Sequence, residues 1–328
     1  MSNNVGLDAG CAYIKIAYKN NVGEIQQFSI PSLARYGKAT VGMGNDAGFT
    51  YHCDGEEWSI NPDHEKSADT RFDSYPYSSL NAVLSTHALI EAGFTDEVTV
   101  ASGIPLNHYF EHHGGPNKSK IEDKHRNYDR QVKRAGHGSQ APLRVISKKV
   151  CPEALAAWVD VCLDDDGNDR ESTARPVGLV DIGGRTTDIT VALPGFRIDA
   201  EHTGTIELGY LDVCSHLNDL LIKHHDAGRI STFALDKALQ TKEIQLYRGS
   251  KLDISELVEK AVSIVSNEIA REVERRFMKA GHLAGICYFG GGAENMRSQL
   301  SKSMNVHIPE KAQFANARGY LKALEYVG

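Results

Sequence analysis

The chain has 328 residues, enough for two domains with buried cores. Hydrophobic residues make up 41% and charged residues 24%, an ordinary globular balance, and no apolar run approaches the roughly 20 residues that span a bilayer. A formal net charge of −7 argues against a generally basic nucleic-acid-binding surface, so any contact with DNA is expected to pass through another protein. The sequence opens directly on an apolar strand, which predicts a cytoplasmic location. Six cysteines, at 11, 53, 151, 162, 214 and 287, lack CxxC spacing and read as reduced, mostly buried thiols.

Residues 5–16 (VGLDAGCAYIKI) read as an apolar strand, a tight turn carrying Asp8 and Gly10, and an alternating return strand with Lys15. A third strand is predicted at 25–29. Residues 31–75 are rich in Gly, Asp and aromatics, with a strand at 57–60. Residues 79–92 follow helical spacing, with Leu80, Val83, Leu84, His87, Leu89 and Ile90 on one face and Gly93 as the stop. A strand follows at 98–101, and Pro105 begins the segment after it. His108, His112 and His113 share helical spacing but lack the Glu of an HExxH site, so a polar surface segment is expected there. The charged run 118–133 (KSKIEDKHRNYDRQVK) reads as a solvated helix and loop.

A helix is predicted over 152–163, with Pro152 in its first turn and Glu153 beside it, where an acidic side chain suits the helix dipole. The acidic cluster 164–169 lacks the EF-hand pattern and reads as a turn. Residues 178–190 (GLVDIGGRTTDIT) repeat the first hairpin: an apolar run, Asp181, Gly183 and Gly184, then Arg185, Thr186, Thr187 and Asp188, with the return strand starting near Ile189. Such a turn is an ordinary hairpin or a phosphate-binding loop, whose backbone N–H groups and hydroxyls suit phosphate oxygens. Two copies about 170 residues apart point to an internally duplicated fold. In that reading Lys15 meets a phosphate, and Asp8 and Asp181 flank a phosphate-bound Mg²⁺. Gly209 opens a helix to about residue 224 and can bring its N-terminus close to a phosphate or ribose. Residues 255–280 form the clearest amphipathic helix, with Leu257, Ala261, Val265, Ile269, Val273 and Phe277 as core and Gly281 as stop. Residues 288–294 (YFGGGAE) form a Gly-rich strand-to-helix turn, and 314–326 the last helix, packing back on the first domain.

Residues 8–15, 181–188 and 290–294, in this order, resemble the two phosphate loops and the adenosine loop of the actin-type ATPases. Residues 104–114 (IPLNHYFEHHG), 121–128 (IEDKHRNY), 152–156 (PEALA) and 314–321 (FANARGYL) narrow the resemblance to the ParM (StbA) family of plasmid-segregation actin-like proteins. Cys11 and Ala12 stand where the family commonly has Ser or Thr.

The resemblance implies an α/β, duplicated actin-like (ribonuclease H-like) two-domain fold with nucleotide in the interdomain cleft. Domain I would comprise residues 1–172 plus 313–328, with a variable subdomain over about 28–75, and domain II residues 173–312. It implies an ATPase with Glu153 as catalytic glutamate and Asp181 beside it. Nucleotide contacts would come from Asp8, Gly10, Cys11, Ala12, Tyr13 and Lys15, from Gly183, Gly184, Arg185, Thr186 and Thr187, and from Gly209. Lys242 and Glu243 would flank adenine and ribose, and Gly290, Gly291, Gly292 and Glu294 would complete the adenosine loop. Asp188 would support the second loop or face the attacking water. The implied cofactors are ATP, ADP after hydrolysis, and Mg²⁺. The implied partners are further copies of the chain in a helical filament, with contacts along 118–133, and a DNA-binding adaptor at a centromere-like plasmid site. A metabolic kinase acting on a sugar or carboxylate shares the same ATPase core and is the alternative.

Overall fold

The computed structural model describes residues 3–37, 49–60, 67–111, 114–135, 143–170, 175–246, 251–280, 283–301 and 305–327. His112, His113, Gly281 and part of the predicted interdomain boundary lie outside them. Two five-stranded sheets dominate, and they share one topology. In the first, Asn4–Ala9 is central; on one side Tyr13–Lys19 and then Ile25–Pro31 each run antiparallel to the strand before, and on the other Glu97–Ile104 and Arg144–Pro152 are parallel. In the second, Val177–Ile182 is central; on one side Thr187–Leu193 and then Arg197–Ile206 each run antiparallel to the strand before, and on the other Ile286–Phe289 and Val306–His307 are parallel. The duplication read from two hairpins is therefore a duplication of whole sheets.

All six residues of Val177–Ile182 are buried, as expected for a strand covered on both faces. One cover is helix Leu155–Cys162, whose Ala157 and Trp158 pack with Leu179, Cys287 and Phe289 of the second sheet. The last helix, Ala315–Tyr326, instead packs on the first sheet through Ala317, Tyr320 and Leu321. These two helices meet between the sheets, and glycine makes the contact possible. A Cβ on Gly319 would lie 1.8 Å from the carbonyl oxygen of Ala156, and one on Gly6 would lie 1.9 Å from that of Ala317.

Helix Ser79–Glu91 buries the expected face against the first sheet, and Ser78 caps it by accepting from the Asn81 amide. A separate four-stranded sheet joins Arg35–Tyr36, Glu56–Ile60, Phe49–Cys53 and Lys133–Arg134. It takes its last strand from outside residues 28–75, whereas Ile25–Pro31 belongs to the main sheet. The long helix Ser255–Phe277 buries Ala261, Val265, Ile269, Val273 and Phe277 against helix Tyr210–His225, while Leu257 is only partly buried.

Two expectations change. The helix predicted from Pro152 begins at Leu155, because Arg144–Pro152 stays in register with Glu97–Ile104 to its last residue and Ala154 takes a left-handed φ of 61°. The 118–133 run is not uniformly solvated: helix Lys118–Tyr128 buries Lys124 and Asn127.

Gly319→Ala should lower thermal stability by about 1–3 kcal/mol, since the helices must separate to admit a methyl group. Gly228→Ala, where no heavy atom lies within 4 Å of the place the new methyl would take, should be near neutral. Thermal denaturation of the two variants checks this, and equal melting temperatures would show that the helix contact is not tight.

Candidate functional site

The equivalent hairpins of the two sheets point their turns at each other. In the first, Asp8 and Lys15 are register partners, and Lys15 Nζ donates to Asp8 Oδ2 at 2.9 Å. In the second, the register partners are Asp181 and Asp188, two carboxylates facing one another. The loops nearly touch: a Cβ on Gly184 would sit 2.9 Å from the Ala12 nitrogen.

The first loop is gripped by its carbonyls. Ala9 O accepts from Asn81 Nδ2 at 3.3 Å, and Gly10 O from the Ser32 and Tyr75 hydroxyls at 2.7 and 3.3 Å. Cys11 O accepts from the Thr70 hydroxyl at 2.7 Å, and Ala12 O from the Ser32 amide at 2.9 Å. With the carbonyls turned into the protein, the loop's N–H edge is left for an anion. In the second loop the carbonyls of Gly183 and Gly184 accept from the amides of Tyr210 and Leu211 at 2.9 and 2.8 Å. The third turn, opening helix Gly290–Asn295, lies against the second: a Cβ on Gly290 would fall 2.4 Å from Ile182 O and 2.5 Å from Asp181 Oδ1.

Between the loops lies a cavity of about 350 Å³, within the range of small-molecule sites. It is lined by Asp8, Gly10, Cys11, Ala12, Tyr13, Lys15, Glu153, Asp181, Gly183, Gly184, Arg185, Thr186, Asp188, Gly290, Gly291, Gly292 and Glu294. A cavity of about 510 Å³ adjoins it at Cys11 and Ala12 and one of about 780 Å³ lies elsewhere, but neither gathers these acids. Six carboxylate side chains line the small cavity (Asp8, Glu153, Asp181, Asp188, Asp236 and Glu294), against the cations Lys15 and Arg185.

That imbalance is visible in the titration of the acids. Burial pushes Asp181 up to about 6, with the Asp8 charge adding to the rise and the Asn316 hydrogen bond and Lys15 opposing it. Burial likewise pushes Asp188 up to about 7, against the Thr205 hydroxyl that bonds it. Glu153 is raised well above the usual carboxylate range by burial and by the charges of Asp188, Asp8 and Asp181. Burial pulls Lys15 down, but the charge and hydrogen bond of Asp8 more than offset it.

Glu153 sits in the bend between strand and helix, its amide donating to Ile104 O at 3.1 Å. The helix-dipole argument for it therefore fails, although the side chain does reach the cavity. The next amide, of Ala154, donates to Asn316 Oδ1 at 3.3 Å, and Asn316 Nδ2 donates to Asp181 Oδ2. One asparagine of the last helix thus ties the Glu153 bend to Asp181.

Other expected contacts are not brought together. Thr187 lies in the return strand, fully buried, and its hydroxyl donates to Leu208 O at 2.7 Å rather than facing the cavity. Gly209 is spent on packing: its Cβ would meet the Gly184 and Gly183 carbonyls, whose oxygens take up the first helix amides. Glu243 begins a two-stranded sheet and pairs with Lys251 at 3.0 Å. Lys242 lines an adjoining cavity of about 170 Å³ with Tyr210 and Asn295, residues that also line the main one. His108 Nδ1 lies 3.0 Å from the Tyr77 hydroxyl. Cys11 Sγ donates to Thr70 O at 3.2 Å, and burial and Glu153 push its thiol up to about 12.

Sequence reasoning missed Asp236, which accepts from the hydroxyls of Tyr13 and Tyr210 and from Gln240, and so bridges the two hairpin systems. It also missed Asp73, which meets Arg185 at 2.7 Å while Glu207 meets it at 2.9 Å. Neither has a specific local signal: Asp73 lies in the Asp-rich stretch 31–75 without standing out from it, whereas Asn316 stood in the segment 314–321 already singled out.

The family comparisons follow this division. The description "Plasmid segregation protein ParM, N-terminal" matches residues 4–164, and "Archaeal actin homologue MreB-like, C-terminal" matches residues 179–302. The chain belongs to the actin-like proteins, with a ParM-type N-terminal part. Among solved structures, a 15-stranded ParM filament from Clostridium botulinum is similar at 19% identity and a TM-score of 0.73, over 98% of this chain and 99% of that one. The archaeal actin homologue Ta0583 in complex with ADP is similar at 18% identity and a TM-score of 0.76, over 99% of both chains. Bacillus thuringiensis ParM with ATP is similar at 14% identity and a TM-score of 0.67, over 98% of both. No curated protein sequence matches the chain. These likenesses establish the actin-like fold of this protein.

The raised acids give a stability prediction for the ligand-free protein. An acid whose folded pKa exceeds its unfolded value stabilises fully below the unfolded value, and that contribution is lost as pH rises through the folded one. For Asp188 the window runs from its ordinary 3.8 to about 7. Asp188→Asn should therefore gain melting temperature relative to wild type as pH rises from about 4.5 to about 7.5. A constant difference across that range would show that Asp188 carries no such burden.

Proposed function

We propose that this actin-like protein is an ATPase that polymerises with Mg-ATP into a filament, disassembles after hydrolysis, and so segregates plasmid DNA. The observation that carries the proposal is the pair of facing hairpin loops around a cluster of acids, three of which burial pushes above the usual carboxylate range. The donor set fits a metal-bound nucleotide. Hard carboxylate oxygens suit Mg²⁺, glycine backbones admit close approach, and the inward-turned carbonyls leave amides for phosphate oxygens. Among the described residues no cluster of three or more His, Cys, Asp and Glu is arranged to hold a metal ion alone, so the phosphates would supply the remaining ligands.

When bound, ATP would supply the electrophilic phosphorus, and its Mg²⁺ the divalent positive charge that faces the acids. Lys15 and the free amides of the loops would hold phosphate oxygens, and Asp8 and Asp181 would hold the metal. Glu153 orients the attacking water, in its carboxylate form once cationic charge has entered the cleft. Asn316 holds Asp181 and the Glu153 bend in fixed relation, and Asp188 lies within the same shell. The adenosine would rest by Gly290–Gly292, Glu294, Tyr210 and Lys242. Residues 1–172 with 313–328, and 173–312, form the two domains that close on it, with Asp236 and Arg185 spanning the gap.

Relatives of the same fold include a ParM filament and ADP and ATP complexes, which supports self-association and nucleotide binding here. The net charge of −7 favours an adaptor protein, rather than this chain, as the DNA-binding component. Among the described residues no helix is long and apolar enough to cross a membrane, in keeping with work in the cytoplasm.

Pelleting and negative-stain microscopy with and without Mg-ATP test the proposal. Wild type should form polymer only with nucleotide. Glu153→Ala should still bind ATP and polymerise, hydrolyse at least about 100-fold more slowly, and disassemble later. ADP release that needs a sugar or carboxylic acid, without polymer, would favour the kinase instead. A second comparison isolates the metal: Asp181→Ala should weaken Mg-ATP binding about tenfold or more. Asp164→Ala, which alters an exposed turn, should leave it unchanged, and equal, negligible effects would remove Asp181 from the site.

A further inference from the structure

Lys124 is the least expected residue in the fold. It belongs to the charged run 118–133, yet it is only 1% exposed. Its Nζ donates to the carbonyl of Pro76 at 3.0 Å and to Asn81 Oδ1 at 2.9 Å, and lies 4.8 Å from the Tyr128 ring centre. Asn127 Nδ2 reaches the same two oxygens at 3.2 Å each. These partners are neutral oxygens, not carboxylates. Burial pulls the ammonium down to about 7, while the charges of Glu153 and Asp8 act to keep it protonated. A buried cation without a carboxylate contact is costly, and methionine would fill the space at lower cost. Stability alone does not account for a lysine here.

Its partners lead to the cleft. Pro76 lines the cavity. Asn81 is fully buried, and its amide has two orientations between which hydrogen bonding must decide. Two donors, one of them charged, hold Asn81 Oδ1 toward helix Lys118–Tyr128, so the NH₂ must face Ala9 O, at 3.3 Å. Ala9 lies between Asp8 and Gly10. A neutral residue at 124 would remove the shorter, charged one of these two hydrogen bonds and leave Asn127 alone to hold the orientation.

We propose that Lys124 is a positioning residue: through Asn81 and Pro76 it fixes the backbone of the first phosphate-facing loop and the adjoining turn Tyr75–Tyr77 in the geometry that hydrolysis requires. The inference rests on reading the cleft as an ATP site, so part of its test is made without nucleotide.

The test compares wild type with Lys124→Met, which keeps length and bulk, and with Asn81→Leu, which keeps the lysine but cuts its link to Ala9. In ligand-free protein, amide hydrogen exchange over residues 9–13 should quicken at least about tenfold in both variants, while residues 183–187 keep their wild-type rate. Lys124→Met should melt within about 3 °C of wild type. With Mg-ATP its kcat should fall at least about tenfold, with KM within about threefold, as expected for lost positioning rather than lost binding. Unchanged exchange at 9–13 in both variants would overturn the proposal. So would uniformly faster exchange with a large drop in melting temperature, which would make Lys124 a stabilising residue only. A wild-type protein that does not hydrolyse ATP would refute the reading of the cleft, and the exchange measurement would still decide whether Lys124 holds the loop.

Discussion

Two sheets of the same topology bring the ends of their central hairpins together, and that junction crowds more carboxylates than cations. Asp8 finds Lys15 across its hairpin, but the equivalent positions of the second hairpin are both acidic, Asp181 and Asp188. Glu153 then adds a further carboxylate from the end of a first-sheet strand. Like charges in a water-poor space are costly unless protons or a cation intervene. Much of the surrounding architecture can be read as holding this arrangement. Asn316 ties Asp181 to the Glu153 bend, Thr205 caps Asp188, and four side-chain donors pin carbonyls of the first loop.

The same packing that brings the acids together joins the two halves. Helix Leu155–Cys162 leaves a strand of the first sheet and covers the second, while the last helix covers the first and supplies Asn316 to the second. The contact between these helices passes through Gly319. Near the cavity, Tyr13 with Asp236 and Arg185 with Asp73 span the gap by side chains alone. Such contacts can break and re-form with little disturbance to either core, whereas the helix pair is close-packed. The geometry therefore places a firm joint at one end of the cleft and separable links along it.

The hairpins are legible in the sequence because an aspartate, a glycine turn and an alternating return strand form a local pattern, and repetition makes it specific. The long core helix is legible for the same reason, through its period. What cannot be read locally depends on partners far away in sequence. The bend at Ala154 carries no glycine or proline to announce a left-handed backbone, so the local pattern puts Glu153 on a helix that begins two residues later. Gly209 looks free to meet a phosphate, yet the helix amides behind it are taken by the second loop. Asp236 looks like one polar residue of an amphipathic helix until two tyrosines reach it. Lys124 is hidden by composition: a charged run says that most of its members are solvated, not which one is buried.

The central claim is that loop amides suited to phosphate, set beside carboxylates suited to a divalent cation, make the cleft a receptor for the two bound together. Thermal unfolding at a pH of about 7.5, in matched ionic strength, with Mg²⁺ alone, ATP in EDTA, and Mg-ATP, tests it most directly. The account predicts that Mg-ATP raises the melting temperature by clearly more than the sum of the other two shifts, because only the pair satisfies both the amides and the acids. An additive response, or one in which ATP in EDTA stabilises as much as Mg-ATP, would contradict it.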